Sequence, residues 1–216
     1  VQDFGLSAVV LHTAMERTGS FSCSNDLVNR LQENIIWGQK GNFLDVPTDC
    51  PQRDERLGWT GDAQVFCATA AFNFDVSNFF MKWIQDLVAD QHESGAVPHV
   101  IPDVLAPDGA ASCGWADAVT IVPWTLYKIY GDPRFLETTF PAMRKWVDYM
   151  VVAADDSLIF REGKHFGDWL AFSTTEPDFP GATTDKDLIA TAFFAYSSAL
   201  TAKVASVLGD ADSQDY

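Results

Sequence analysis

Positive charge is scarce in this chain. Its 216 residues carry 14 Lys and Arg against 30 Asp and Glu, a formal net charge of −16. Such a surface repels the phosphates of nucleic acids and anionic membranes, so neither is expected as a partner. There is no run of about 18 apolar residues, so no segment is expected to span a membrane. The start, Val1-Gln-Asp-Phe, has no charged stretch leading into an apolar one and is not expected to be a signal peptide. With no initiator Met, the chain reads as a cut-out of a longer one. The four cysteines, Cys23, Cys50, Cys67 and Cys113, form no C-x-x-C pair, and no nearby His completes a zinc pattern. They are expected as free, semi-buried thiols, although a disulfide, and with it the redox compartment, stays open. The four histidines are scattered, and neither a metal site nor a cofactor is expected. His92-Glu93 begins an H-E-x-x-H string, but residue 96 is Ala. No G-x-S-x-G, Walker A, G-x-G-x-x-G or N-x-S/T string occurs, so acyl-transfer, nucleotide and dinucleotide chemistry lack support.

What the chain does have is apolar and aromatic residues in helical order. Hydrophobic residues make up 47% of it, with 16 Phe and 7 Trp, enough for one sizeable core. Residues 1–22 read as extended, with Ala8-Val-Val-Leu-His-Thr13 a β-type run that needs a partner sheet from elsewhere. From Ser24 or Asn25 the pattern becomes helical, with Leu27, Val28, Leu31, Ile35 and Ile36 expected on one buried face. Asp62 and Asp75 are expected to cap the next two helices. The second of these has Val76, Phe79, Phe80, Trp83, Ile84, Leu87 and Val88 at amphipathic spacing. Further helices are expected over 115–130, stopping at Gly131, and from Pro133, with a stripe of Leu136, Phe140, Met143, Val147 and Met150. A last one begins at Thr184, with a stripe of Ile189, Phe193, Tyr196, Leu200, Val204 and Val207. About six helices and no strand–helix alternation argue for an all-α fold and against Rossmann or TIM-barrel plans. Pairs of helices separate the long loops 42–61, 93–113 and 155–183, so these loops should emerge on one face.

That shared face is where chemistry is expected. The first loop carries Asp45, Asp49, Asp54, Glu55 and Asp62, with Arg53, Arg56 and Trp59 among them. The other loops add Trp115 with Asp117, and Asp168 with Trp169. Glycosidic hydrolysis needs a carboxylic acid to protonate the leaving oxygen and a second carboxylate to activate water or attack carbon. Sugar binding adds hydrogen-bonding carboxylates, Arg and flat aromatic faces. Each residue also has a plainer reading: a solvated charged loop, core tryptophans, Asp62 as a helix cap, Arg53 as an ion-pair partner.

The string Asp45-Val-Pro-Thr-Asp-Cys-Pro-Gln-Arg-Asp-Glu-Arg-Leu-Gly-Trp-Thr-Gly-Asp62 closely resembles the signature of family 78 glycoside hydrolases, the α-L-rhamnosidases. Gly19-Ser-Phe-Ser-Cys-Ser-Asn25, Gly114-Trp-Ala-Asp-Ala118, Gly167-Asp-Trp-Leu170 and Leu188-Ile-Ala-Thr191 fit it too, in the family's order. The resemblance implies an (α/α)6 toroid preceded by β-sandwich domains, incomplete here at about six helices. Residues 1–22 would then be the tail of a preceding β-domain and its linker, and residues 23–216 the N-terminal part of the catalytic toroid. It further implies hydrolysis of terminal α-L-rhamnosides with inversion, with the remainder of the parent catalytic domain as a partner. By the same resemblance Glu55 is the general acid. Asp49, Arg53 and Asp62 bind sugar hydroxyls, and Trp59, Trp115 and Trp169 wall the pocket, where they can pack on the 6-methyl group. Asp117 and Asp168 are carried over as substrate-binding residues. A general acid of this kind must hold its proton near neutral pH, which burial or neighbouring carboxylates bring about. The family's general base is a Glu in a later Trp-Glu motif. Gly181-Ala-Thr-Thr184 is similar to the lead-in to that motif, but Asp-Lys-Asp follows, so the base is expected outside this chain. The other readings are a different (α/α)6 glycosidase or a catalytically inactive carbohydrate-binding fragment.

Overall fold

Asn25 opens the first helix, α1 (Asp26–Asn42), by accepting the backbone amides of Leu27 and Val28 on its side-chain oxygen. Two of the donors that a helix start leaves bare are thereby satisfied. The computed structural model describes residues 5–105, 109–161, 163–172 and 181–210. After α1 comes a two-residue antiparallel pair, β1 (Phe43–Leu44) and β2 (Val46–Pro47). Then follow α2 (Thr60–Asn73), α3 (Ser77–Asp90), α4 (Ala118–Tyr130), α5 (Arg134–Ala154), a 3-10 turn at Asp155–Ser157 and α6 (Lys186–Leu208). The described residues thus form six α-helices without strand–helix alternation, as the periodicity implies. The β-type run at 8–13 forms no strand. Val9, Val10 and Leu11 are exposed, since no sheet lies beside them to take up their backbone groups.

The core lies where α4 packs against α2, α3, α5 and α6, and where α5 packs against α3 and α6. Phe80, Trp83, Leu126, Met143, Trp146 and Met150 are fully buried there. The expected stripes of α3 and α5 are buried as read, with Val88 at the margin. Gly131 ends α4 in the left-handed conformation, φ 69°, which costs a residue without Cβ little.

Two helices depart from their expected faces. On α1, Leu27, Val28 and Leu31 are exposed, and only Ile36 and Gln39 are buried. Side-chain amides dock this helix together with Ile36, its one buried apolar residue. Gln39 Nε2 donates to the Ala70 carbonyl at 3.2 Å, Asn73 Nδ2 to Gln39 Oε1 at 3.0 Å, and Gln32 Nε2 to Asn73 Oδ1 at 2.9 Å. On α6 the buried face is Ala190, Phe194, Ser197, Leu200, Thr201, Val204 and Ala205, while Tyr196 and Val207 are exposed. Its cap is Asp185, which accepts the Leu188 amide at 3.0 Å, and not Thr184, whose hydroxyl is committed to Asp168. Asp62 does not cap α2: it lies in the first turn, where a negative charge faces the positive end of the helix. Asp75 sits two residues before the first residue of α3, bonded to the Ser77 amide and hydroxyl.

Two expectations of composition also change. Cys50, Cys67 and Cys113 are buried and Cys23 is exposed, all four free, so none is semi-buried. α6 spans 23 residues at a mean hydropathy of 1.4 and is long and apolar enough to cross a membrane by length and composition. It packs along α4 and α5 on one face and leaves Leu188, Tyr196 and Val207 exposed on the other.

The polar hub of this core is Asp117, fully buried just before α4. Its carboxylate accepts the Gly114 amide at 2.7 Å, Trp146 Nε1 from α5 at 3.0 Å and the Ser197 hydroxyl from α6 at 2.5 Å. Three donors from three segments converge on one side chain. Asp117→Ala is expected to leave the Trp146 indole and the Gly114 amide unpaired, the Ser197 hydroxyl keeping its Thr120 contact, and to lower stability by about 3 kcal/mol. Urea unfolding measures this, and an unchanged midpoint would remove Asp117 from the role.

Candidate active site

The loop from Asp49 to Trp59 has no regular secondary structure, and side chains hold it. Asp49 clamps its base: its amide donates to the Leu57 carbonyl and its Oδ1 accepts the Leu57 amide, each at 3.0 Å. Arg53 Nη2 bridges Asp49 Oδ2 at 2.8 Å and Glu55 Oε2 at 3.2 Å. Trp59 Nε1 donates to Glu55 Oε1 at 2.9 Å. Both carboxylate oxygens of Glu55 are therefore oriented, one by an indole and one by a guanidinium.

The second loop crosses beneath the first. Gly58 and Ile101 pair through the Ile101 amide and the Gly58 carbonyl at 2.9 Å, and a Cβ on Gly58 would fall 2.1 Å from the Ile101 carbonyl oxygen. Thr60 donates both its amide and its hydroxyl to the His99 carbonyl. Trp59 then stacks on the His99 ring, 6.4 Å between centroids and 14° between planes. The third loop contributes Phe166, which contacts Trp59, His99, Trp115 and Trp169, the closest being Trp115 at 4.7 Å. The three long loops do meet on one face.

A cavity of about 650 Å³ opens there, with Asp49, Asp62, Trp115 and Trp169 in its wall. Glu55, Arg53 and Trp59 are not in that wall; Glu55 is linked to it through Arg53, which bonds Asp49. Trp115 lies flat on the start of α2 because Gly61 has no side chain; a Cβ there would meet the indole at 2.7 Å. The two wall carboxylates differ. Burial alone would raise Asp49, but hydrogen bonds from Arg53, Cys50 and the Leu57 amide outweigh it and hold its carboxyl below the usual range. Asp62 is open to the cavity, yet the protein mass around it still desolvates its carboxyl. That desolvation, with the charges of Asp49 and Glu55, raises it. One acceptor is thus firmly ionised, and its neighbour takes a proton more readily.

Two expected site residues are placed elsewhere. Asp117 is the buried hub described above, with its oxygens filled by protein donors, so it is a strut behind Trp115 and not a ligand of the cavity. Asp168 ties the third loop: it accepts the amides and hydroxyls of Thr183 and Thr184 at 2.9–3.2 Å. Burial works against its charge, but those bonds prevail and bring its carboxyl down to about 2. Phe166, His99, Gly61 and Cys50 complete the site without having been singled out from the sequence. Phe166 directly precedes the Gly167-Asp-Trp-Leu170 string, and Cys50 and Gly61 lie inside the string over 45–62, so nearness to a motif or membership of one is the available signal. Among the described residues no group of three or more His, Cys, Asp or Glu is arranged to hold a metal ion.

The bacterial alpha-L-rhamnosidase six-hairpin glycosidase domain matches residues 16–216. An alpha-L-rhamnosidase of Formosa agariphila is 45% identical over 209 residues, covering 97% of this chain and 22% of that protein. One from Alteromonas sp. is 44% identical over 205 residues, 94% of this chain and 22% of that protein. Among solved structures, native alpha-L-rhamnosidase from Aspergillus terreus superposes with a TM-score of 0.89 at 38% identity, over 96% of this chain and 24% of that one. The Streptomyces avermitilis alpha-L-rhamnosidase complexed with L-rhamnose gives 0.82 at 43% identity, over 92% and 18%. The chain spans about a fifth of the length of the curated relatives it matches.

His99 makes the site floor sensitive to acid. Its Nε2 accepts the Ser112 amide at 3.2 Å, a bond only the neutral ring can make. Burial, the largest influence, lowers its pKa from 6.5 to about 4. The unfolded chain binds this proton below about pH 6.5, while the folded one resists it until about pH 4. The stabilisation is therefore complete above pH 6.5 and lost as pH falls toward 4. Urea unfolding between pH 7.5 and 4.5 should show that decline, and His99→Gln should remove part of the slope. An identical slope in the variant would count against this assignment.

Proposed function

Because the chain belongs to the bacterial α-L-rhamnosidase six-hairpin glycosidase family, we propose that it supplies the acid half of an α-L-rhamnosidase active site. The reaction is hydrolysis of terminal α-L-rhamnosides with inversion. One observation carries this reading: Glu55, oriented by Trp59 and Arg53, adjoins a cavity that sets two carboxylates beside two indole faces. Glu55 gives its proton to the leaving glycosidic oxygen. A second carboxylate deprotonates a water, which attacks the anomeric carbon from the opposite face. Asp49, ionised and fixed, accepts hydrogen bonds from sugar hydroxyls, as does Asp62, while Arg53 stands between Asp49 and the acid. Trp59, Trp115 and Trp169 offer apolar surface to the C–H faces and the 6-methyl group of a 6-deoxy sugar. The L-rhamnose bound by the Streptomyces avermitilis relative, 43% identical, supports this sugar class.

The base is assigned to residues outside this chain, in the part of the toroid that would close on α1 and α6. Residues 1–22 are read as the tail of a β-domain with its linker, and residues 23–216 as the N-terminal part of the catalytic toroid. Inversion needs the two carboxyl groups roughly 6.5–9.5 Å apart with a water between them, a spacing that only the two halves together can set.

In the full-length protein, Glu55→Gln is expected to reduce turnover of unactivated rhamnosides by about 100-fold or more at an unchanged unfolding midpoint. Near-normal turnover would refute the acid assignment. Proton NMR of the first-formed sugar should show inverted configuration; retention would require a different pair of carboxylates. The isolated 216 residues are expected to release little or no rhamnose from nitrophenyl rhamnoside, and robust turnover would overturn the external base.

A further inference from the structure

The acid loop contains a buried thiol that the chemistry described so far does not use. Cys50 is 7% exposed, although the loop around it is solvent-facing. Its Sγ lies 2.9 Å from the Glu55 carbonyl oxygen, 2.8 Å from Arg53 Nε and 3.1 Å from Asp49 Oδ2. The roles of the three contacts follow from chemistry. A carbonyl oxygen and a carboxylate oxygen only accept, so the one S–H proton is shared between the Glu55 carbonyl, the nearer, and Asp49 Oδ2. A guanidinium N–H only donates, so Arg53 Nε–H points at the sulfur. Asp49 Oδ2 also accepts Arg53 Nη2. One side chain thereby fixes the backbone of Glu55 and the plane of the guanidinium that touches its carboxylate.

We propose that Cys50 is a positioning residue for the acid: its thiol ties the main chain of Glu55 to Arg53 and Asp49, so that the Glu55 carboxyl keeps its aim at the leaving oxygen. The inference rests on the assignment of Glu55 as general acid. Glu55 is otherwise held through its side chain, by Trp59 and Arg53, in a segment with no helix or strand to set its backbone. Burial raises the thiol pKa, so the group stays protonated and remains a donor at neutral pH. Serine can replace the donor and the acceptor, with a shorter reach; alanine can replace neither.

A positioning defect has a kinetic signature that a general loss of folded protein lacks. An aglycone that leaves poorly needs the proton, while a nitrophenolate leaves with little help. In the full-length protein, Cys50→Ala is expected to lower kcat on an unactivated rhamnoside by about ten- to a hundred-fold. On p-nitrophenyl rhamnoside the loss should be several-fold smaller, and KM should change little on either substrate. Cys50→Ser should recover part of the loss on the unactivated substrate. Glu55→Gln, run beside them, separates the two claims. If Glu55→Gln shows no dependence on the leaving group, the acid assignment fails. If it shows that dependence and Cys50→Ala does not, Cys50 is no positioning residue. Equal losses on both substrates, no loss, or collapse of the fold in both Cys50 variants by circular dichroism would likewise overturn the proposal.

Discussion

The buried carboxylate of Asp117 is the constraint on which the rest of the arrangement depends. Removing a carboxylate from water is costly, and burial pushes the Asp117 carboxyl above its ordinary range against the pull of its donors. Those donors are the Gly114 amide, the Trp146 indole and the Ser197 hydroxyl. Each donor lies on a different part of the chain, so satisfying the charge fixes α5 and α6 relative to the start of α4. It also fixes the turn that carries Trp115, one residue beyond Gly114. Trp115 forms the cavity wall and rests on Gly61 at the start of α2. The position of an aromatic face in the site is therefore set by electrostatics in the core.

The site itself is assembled by crossing loops. Gly58 pairs with Ile101, Thr60 with His99, and Phe166 closes the aromatic cluster from the third loop. Thr60 is the first residue of α2 and Gly58 lies two residues before it, so the start of α2 sets where the first two loops cross. This suits a surface that must present fixed polar groups, because side chains on loops already tied to one another lose little freedom on binding. The polar groups are also graded. Asp49 is held ionised by Arg53, Cys50 and Leu57, while Asp62, a few residues on, is pushed toward its neutral form.

The legible parts of the sequence are those whose burial is apolar. The α3 stripe from Val76 to Val88 and the α5 stripe from Leu136 to Met150 repeat at the helical period, and their helices bury those faces. α1 and α6 depart from their apolar stripes. At α1, Gln39 and Asn73 add hydrogen bonds that a hydrophobic period cannot register. On α6 the buried face, Ala190, Phe194, Leu200 and Val204 with Ser197 and Thr201, is turned from the expected line of Phe193, Tyr196 and Val207. The site strings were read by position within a motif, which places Glu55, Asp49 and Trp115 close together but does not distinguish ligand from strut. Asp117 lies two residues from Trp115 and points into the core, because three donors await it there. Asp168 lies beside Trp169 and turns to Thr183 and Thr184. In both cases the deciding partners are distant in sequence, Ser197 lying 80 residues from Asp117.

The outer faces of α1 and α6 carry the argument one step further. Leu27 and Leu31 on α1, and Leu188, Tyr196 and Val207 on α6, are exposed, and these are the first and last helices of the set. In a closed ring of helical hairpins every helix has a neighbour on each side, so an arc of six leaves its two terminal helices uncovered. Under the proposed reading those faces meet the rest of the toroid. The separation of acid and base is then set by how tightly they pack. A shift of about 1 Å at such an interface can cost on the order of a hundred-fold in rate.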